Sequence, residues 1–290
     1  MESREMQLTN IYANKGLKEP VRFKRGYGNA FILEQESGEL LLFDTGDKGT
    51  KILKNMKLVR KHSDDIDRIV LSHGHFDHTG GLPAIVSTRS DTTTPLPIHA
   101  HPDARNDRKG TGDPNNVTAG AGFPDVDPEF DEKVTFIDAI GLNEICKNIH
   151  AISEIMTRPE KDGCDRLLHL VNGKWIPDPM KDDLSLILET GDGIVLLCGC
   201  CHAGLLNTLL EMRKSFDQRV HAVVGGTHMM GFTETELDHV AEVLQQDYDS
   251  PSLFLNHCSG EKTVQYLASK LGDEKVNGFP AGSVLEFSSP

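Results

Sequence analysis

Residues 71–83, LSHGHFDHTGGLP, hold three histidines and one aspartate within six consecutive positions. The stretch follows the apolar run IVL, which we interpret as the end of a buried β-strand, and it leads into a pair of glycines. Side chains two residues apart in an extended segment point to the same side, so His73, His75 and Asp77 can converge. His78 adds a fourth donor from the following turn. Imidazole and carboxylate groups suit zinc, manganese or ferrous iron, so the sequence predicts a metal site here rather than a polar loop of hydrogen-bonded histidines.

Three histidines further along the chain occur in a similar setting. His202 follows the apolar run GIVLLC, His228 follows VHAVVGG and His257 follows SLFLN, with a glycine close by in each case. Ligands gather at the carboxyl ends of strands in α/β folds, so we expect these histidines to join the site. His228 is the one that a simple hydrogen-bonding role at a loop would explain most readily.

The order of the predicted elements indicates the fold class. Strand pairs are predicted from NAFILE with ELLLFDTG, and from DLSLILET with GIVLLCGC; helices are predicted from AGLLNTLLEMRKSF, TETELDHVAEVLQQ and EKTVQYLASKL. Thr233 and Glu236 form the sequence pattern of a helical capping box. Each half of the chain contains strands and helices, and both faces of each sheet must be covered. We therefore predict a single α/β domain over residues 1–290, a four-layer αββα sandwich, with a long loop insertion around residues 102–130.

Composition limits the classes of partner. The net charge of −14 argues against a nucleic-acid surface and against binding to anionic membranes, and no apolar run reaches the roughly 20 residues that span a bilayer. The amino-terminal MESREMQLTN lacks the apolar segment of a secretory signal, and the six cysteines fit no disulfide framework. We expect a cytoplasmic protein that acts on a small, phosphorylated molecule and is able to form oligomers.

The motifs HGHFDHTGG and LLLFDTG resemble the metallo-β-lactamase fold superfamily over essentially the whole chain, in agreement with the αββα prediction. The resemblance implies that His73 and His75 bind one metal ion, and that Asp77, His78 and His257 bind a second. It also implies that Asp44 lies beneath the site and hydrogen-bonds the ligand loop. We expect one or two divalent ions, zinc first, with manganese, iron or magnesium as alternatives.

The sequence departs from the common pattern of that superfamily at two places. MKDDLSL lacks the usual third histidine, and CGCCHAG lacks the usual bridging aspartate. His202 is the candidate replacement from the second place and Asp182 or Asp183 from the first, with Cys200 or Cys201 as soft ligands. We expect Cys198, in an apolar strand, to lie in the core.

CGCCHAGLLNTL, VVGGTHMMG and NHCSG together resemble the branch that includes the archaeal dihydropterin-ribofuranosylaminobenzene-phosphate synthases. That resemblance implies a metal-dependent transferase of methanopterin biosynthesis. Such an enzyme condenses a dihydropterin diphosphate with ribofuranosyl-aminobenzene phosphate and releases diphosphate. A metallo-hydrolase of a phosphoester, lactone or other ester, using a metal-bound hydroxide, is the alternative. A non-catalytic metal-binding protein is disfavoured because HGHFDH is complete.

We assign catalytic roles to Asp77 and His228. Further candidates for contact with substrate or phosphate lie near the predicted loop insertion, where a solvated loop is an equal alternative for the basic side chains. These candidates are His99, His101, Arg105, Arg108 and Lys109.

Overall fold

Two seven-stranded β-sheets stand face to face in the computed structural model, which describes residues 6–290 except residue 20 and residues 91–93, 111–120 and 164–166. The first part of the chain forms β1 (Met6–Tyr12), β2 (Ala30–Glu34), β3 (Leu40–Phe43), α1 (Gly49–Leu58), β4 (Arg68–Val70), α2 (Phe76–Thr79), α3 (Leu82–Ser87), β5 (Leu96–Ala100), β6 (Arg108–Gly110), α4 (Pro128–Lys133), β7 (Val134–Asp138), β8 (Leu142–Cys146) and β9 (Ile149–Ile152). The second part forms β10 (Leu167–Val171), β11 (Lys174–Pro177), β12 (Ser185–Thr190), β13 (Gly193–Cys198), α5 (Leu205–Met212), β14 (Val220–Gly225), α6 (Glu234–Asp247), β15 (Ser252–Leu255), α7 (Glu261–Leu271), β16 (Val276–Gly278) and β17 (Val284–Phe287).

Each large sheet combines an antiparallel part with a parallel part. The first has the order β17-β1-β2-β3-β4-β5-β7, and its strands from β3 to β7 are parallel. The second has the order β16-β15-β14-β13-β12-β9-β8, and its strands from β13 to β16 are parallel. Parallel strands end at one edge of a sheet, so loops that follow them can build a common site.

Successive side chains of the central strands point to opposite faces of each sheet, and this alternation builds the four layers. In β13, Val195 and Leu197 pack against the opposite sheet, while Leu196 packs against the helices α5, α6 and α7. In β3, Leu41 faces the opposite sheet and Leu42 faces α1 and α3. A strand covered on both faces is apolar at successive positions, which explains the continuous runs LLLF and GIVLLC. The predicted αββα sandwich is confirmed. None of the described helices combines the length and apolar character needed to cross a membrane.

The strongly patterned elements agree with the sequence predictions. The two hairpins are present as β2–β3 and β12–β13, and the Thr233–Glu236 capping box is formed at α6. Strands β7, β8 and β9 had no clear sequence signal, because β7 and β8 are largely exposed and β9 has only 4 residues. Within the predicted loop insertion around residues 102–130, the described residues contain short regular elements. They include β6, which is ordered by its pairing with β10, and α4.

Arg108 was predicted either to contact substrate or to lie in a solvated loop, and the structure contradicts both predictions. Its side chain is buried and paired inside the protein. Its Nε lies 2.7 Å from Oδ2 of Asp178, and its Nη2 lies 2.7 Å from Oδ1 of Asp182. Asp182 also accepts a 2.8 Å hydrogen bond from the Gly74 amide. A Cβ atom at Gly74 would lie 1.9 Å from the Ala104 carbonyl oxygen, so only glycine permits this close packing. The three-stranded sheet of β11, β10 and β6 is thereby fastened to the segment that carries His73 and His75.

We predict that Arg108→Met lowers the free energy of unfolding by about 3–5 kcal/mol, because it leaves two buried carboxylates without their counter-charge. Urea denaturation measures the change. Arg105→Met is the matched control: Arg105 is an exposed partner of Asp131 that lies over the Phe136 ring, so its loss should cost about 1 kcal/mol or less. Equal losses in the two variants would contradict a structural role for the buried pair.

Candidate metal centre

Nine metal-donor side chains meet where the parallel strands of the two large sheets end. The donors follow β4 in one sheet and β13, β14 and β15 in the other, as the sequence spacing predicts. Their potential ligand atoms form overlapping groups within which all atoms lie no more than 4.8 Å apart. The nine residues are His73, His75, Asp77, His78, Cys200, His202, His228, His257 and Cys258.

The first group consists of His73, His75 and His202. Nε2 of His73 lies 2.9 Å from Nδ1 of His75, and all three side chains are buried. Burial lowers the pKa of His73 and of His202 well below the ordinary value, and it lowers that of His75 to about 3. The buried Nε2 of His75 has no hydrogen-bond partner among the described residues. Three neutral imidazoles, one with a ring nitrogen that has no hydrogen-bond partner among the described residues, fit a divalent ion such as zinc.

The second group consists of Asp77, His78 and His257. Oδ2 of Asp77 lies 3.3 Å from Nε2 of His257 and 3.8 Å from Nε2 of His78. Nδ1 of His257 lies 3.0 Å from Oδ1 of Asn14, an acceptor that orients the ring and directs Nε2 toward Asp77. A carboxylate and two imidazoles likewise fit a divalent ion. The structure therefore brings the six predicted ligands together as two groups of three.

Asp44 lies beneath these groups, where the sequence resemblance places it. Its carboxylate accepts hydrogen bonds from the Ser72 amide (2.7 Å), the Ser72 hydroxyl (2.7 Å) and Nδ1 of His78 (2.6 Å). Burial by itself would lower the pKa of His78, but the carboxylates of Asp44 and Asp77 outweigh it and raise that pKa to about 9. An ion bound at Nε2 of His78 therefore takes the place of a proton.

Cys200 lies between the two groups. Its Sγ is 3.2 Å from Nε2 of His78, and it shares a donor group with His73 and His78 and another with His202 and His228. Cys200 thus occupies the place where the common pattern has a bridging aspartate, and thiolate is a soft ligand that suits zinc or iron. Cys201 turns the other way, into the core beside Thr208, as does Cys198.

Four residues of the centre have a left-handed backbone conformation without being glycine. These are Asp44, Cys201, His228 and His257, with φ between 47° and 61°. Such conformations cost about 1–3 kcal/mol each and persist where the surrounding structure imposes them, most often at functional sites. Each lies directly after a strand or in the turn that follows one, so strain is concentrated at the edge where the donors converge.

The remaining candidates occupy different places. Asp183 is outside the donor groups found among the described residues; its Oδ2 accepts a 2.8 Å hydrogen bond from the Ala203 amide. This hydrogen bond holds the loop that carries His202, and the structure does not bring Asp183 into either three-donor group. Asp182 is likewise outside these groups, and its carboxylate forms an ion pair with Arg108. His228 is half-buried, with its ring 4.3 Å from that of His202, so it borders the first group.

The other residues that were predicted to contact substrate lie away from the nine metal-donor side chains. His99 is buried in β5, where burial lowers its pKa to about 4, and His101 caps a short helix by accepting from the Asp103 amide. Arg105 lies over the Phe136 ring, and Nζ of Lys109 lies 4.3 Å from the centre of the Trp175 ring. The expected contacts of these residues with phosphate are therefore not supported.

A cavity of about 290 Å³ opens over both donor groups. Its described lining contains no lysine or arginine, and it includes two aromatic side chains that sequence reasoning missed, Tyr27 and Phe76. Phe76 lies inside the histidine motif, where the metal-donor residues were the basis of the prediction. Tyr27 has no sequence signal other than the glycines on either side. The sequence predictions also missed Asn14, the partner of His257, because no spacing rule connects it to the motif.

This chain belongs to the metallo-beta-lactamase superfamily, whose family model matches residues 23–203. The 7,8-dihydropterin-6-methyl-4-(beta-D-ribofuranosyl)-aminobenzene-5'-phosphate synthase of Methanocaldococcus jannaschii is 29% identical over 273 residues, which cover 90% of each chain. An uncharacterized protein of the same organism is 27% identical over 91% of this chain and 93% of its own length.

Solved structures show the same fold. The crystal structure of a metal-dependent hydrolase of the beta-lactamase superfamily superimposes with a TM-score of 0.80 at 23% identity, covering 98% of this chain and 99% of the other. A metallo-beta-lactamase fold protein from Bacillus subtilis superimposes with a TM-score of 0.55 at 13% identity over the same shares. Membership of this superfamily and the two donor groups together indicate a site for divalent metal ions.

We predict that His73→Ala and His257→Ala each lower the metal content to about half while the fold is retained, because each deletes one donor of one of the two three-residue groups. His202→Ala should lower the metal content to about half, since His202 belongs to the first group and not to the second. Elemental analysis and circular dichroism provide the two measurements. The exposed His62→Ala is the control, and full metal content in both of the first two variants would refute the ligand assignment.

We predict that Asp44→Asn weakens metal binding about 10- to 100-fold, because it removes the charge that orients His78 while asparagine tolerates the left-handed backbone. Competition with a chelator of known affinity measures the change. Asp65→Asn, at an exposed acidic position away from the centre, is the control. Unchanged affinity in the Asp44 variant would mean that the ligand loop keeps its geometry without this carboxylate.

Proposed function

We propose that the protein is a metal-dependent transferase that joins a dihydropterin diphosphate to ribofuranosyl-aminobenzene phosphate and releases diphosphate. The observation that carries the proposal is the pair of three-donor groups, with Cys200 between them, in a chain that is similar over 90% of its length to a synthase of this name. Two adjacent divalent ions would supply positive charge to an anionic leaving group.

The reaction replaces one bond at the pterin methylene carbon. The carbon–oxygen bond to diphosphate breaks, the arylamine nitrogen forms a new bond to that carbon, and the amine loses one proton. His73, His75 and His202 on one side, and Asp77, His78 and His257 on the other, would hold the ions that meet the diphosphate. The half-buried His228 beside His202 is the candidate acceptor for the amine proton.

The charges of the cavity support an anionic leaving group held by metal. No lysine or arginine is among its described lining residues, and the net charge of the chain is −14. The described side chains of the lining therefore provide little attraction for a diphosphate. Bound ions would reverse the sign of the local field, because they are the largest charges in such a site.

A metallo-hydrolase is the second candidate, and the size of the cavity favours it. A volume of about 290 Å³ is at the lower end of the range for ligand sites, and it suits one compact substrate better than two ring systems. In that reaction water attacks a phosphoester, lactone or other ester, and a side chain near the site accepts the proton.

We predict that metal-loaded protein forms the condensed pterin product and free diphosphate in a 1:1 ratio, and that removal of metal abolishes both. Chromatography of the product and a diphosphate assay provide the two measurements. His73→Ala is the inactive control, and His62→Ala is the active one. Bound metal without condensation, together with turnover of phosphodiesters or lactones, would reject the transferase in favour of the hydrolase.

A further inference from the structure

We propose that Tyr27 and Phe76 form a stacking subsite for a planar heteroaromatic ring of the substrate, at the entrance of the cavity over the donor groups. Both side chains line this cavity. Their ring planes are nearly parallel, at 13°, with centroids 6.3 Å apart. Tyr27 is 52% exposed and Phe76 is 40% exposed. Exposed aromatic area has a free-energy cost that a bound ring would recover.

Backbone contacts fix the segments that carry the two rings, although the side chains face solvent. The Tyr27 carbonyl accepts a hydrogen bond from the Asp47 amide (3.2 Å), and the Phe76 amide donates to the Ala121 carbonyl (3.1 Å). Gly28 has φ 99°, and a Cβ atom there would lie 1.6 Å from the Asp77 carbonyl oxygen. The loop of Tyr27 is therefore packed directly on the backbone of α2. An aromatic pair on fixed segments binds a flat ring with little loss of backbone entropy, and each aromatic side chain has only two rotatable angles to order.

The position of the pair relates a bound ring to the donor groups. The Tyr27 ring meets the His257 ring edge-on, at 81° and 5.2 Å between centroids, and Phe76 directly precedes Asp77. A ring stacked on this pair would therefore direct a short anionic arm toward Asp77, His78 and His257. The described lining has no lysine or arginine, so stacking would recognise the ring while bound ions take the anion.

The identification of that ring as a pterin rests on the proposed function; the preference for a flat heteroaromatic ring rests on the aromatic pair. A pterin has a delocalised bicyclic face, which suits stacking on tyrosine and phenylalanine. An aliphatic acyl or lactone substrate gains nothing from ring stacking and serves as a distinguishing comparison.

The test is the binding of 6-hydroxymethylpterin, a fluorescent ring without phosphate, to the metal-loaded full chain. Tyr27→Leu and Phe76→Leu keep apolar bulk but remove the ring, and we expect the Kd to rise about tenfold in each. Tyr27→Phe should keep the Kd within about twofold, because the ring remains. Trp175→Leu, at an exposed aromatic position outside the cavity lining, should leave it unchanged. Metal content and binding of inorganic diphosphate should stay at the level of the unmodified protein in all four variants.

The outcomes separate this inference from the proposed function. Pterin binding that is equal in the unmodified protein and in both leucine variants overturns the stacking subsite, as does an equal loss in Tyr27→Phe. Tyr27-dependent pterin binding without condensation supports the subsite and rejects the transferase. Condensation with an unchanged KM for the pterin substrate in Tyr27→Leu and Phe76→Leu supports the transferase and rejects the subsite.

Discussion

The carboxylate of Asp44 fixes the geometry on which the donor cluster depends. A fully buried charge is costly unless it is hydrogen-bonded. Among the described residues, Ser72 and His78 donate the hydrogen bonds that the buried Asp44 carboxylate accepts. Because Ser72 immediately precedes His73, the same carboxylate holds both ends of the ligand motif. The strand β3 that delivers Asp44 lies beside β4, which delivers the motif, so the sheet itself sets their separation.

A second constraint comes from the opposite sheet. His202 and Cys200 follow β13, and His257 follows β15, so each donor group draws on both sheets. The core between the sheets therefore sets the distance between donors from different halves of the chain. The left-handed residues at these strand ends show that the chain bends sharply to aim the side chains, and the packed layers supply the stability that this strain requires.

The electrostatics of the centre give bound metal ions and the protein different roles. Burial keeps the imidazoles of the first group neutral, which leaves their lone pairs for a cation. Arg108, whose guanidinium packs beside Gly74 of the ligand loop, is neutralised by Asp178 and Asp182. In the proposed reaction, bound ions would recognise the anion, and the cavity walls, where Tyr27 and Phe76 are exposed, would recognise the rest of the substrate.

The sequence by itself determined the fold class and the six donors from His73 to His257. It could do so because strand runs covered on both faces are continuously apolar, and because four donors in six positions leave little room for another interpretation. Only the tertiary structure decided the places of Arg108, Cys200 and Tyr27. Arg108 looks like a loop cation until its two carboxylate partners are known, and these lie 70 and 74 residues away. Cys200 and Tyr27 acquire their roles from neighbours brought together by packing of the two sheets, which no local spacing along the chain encodes.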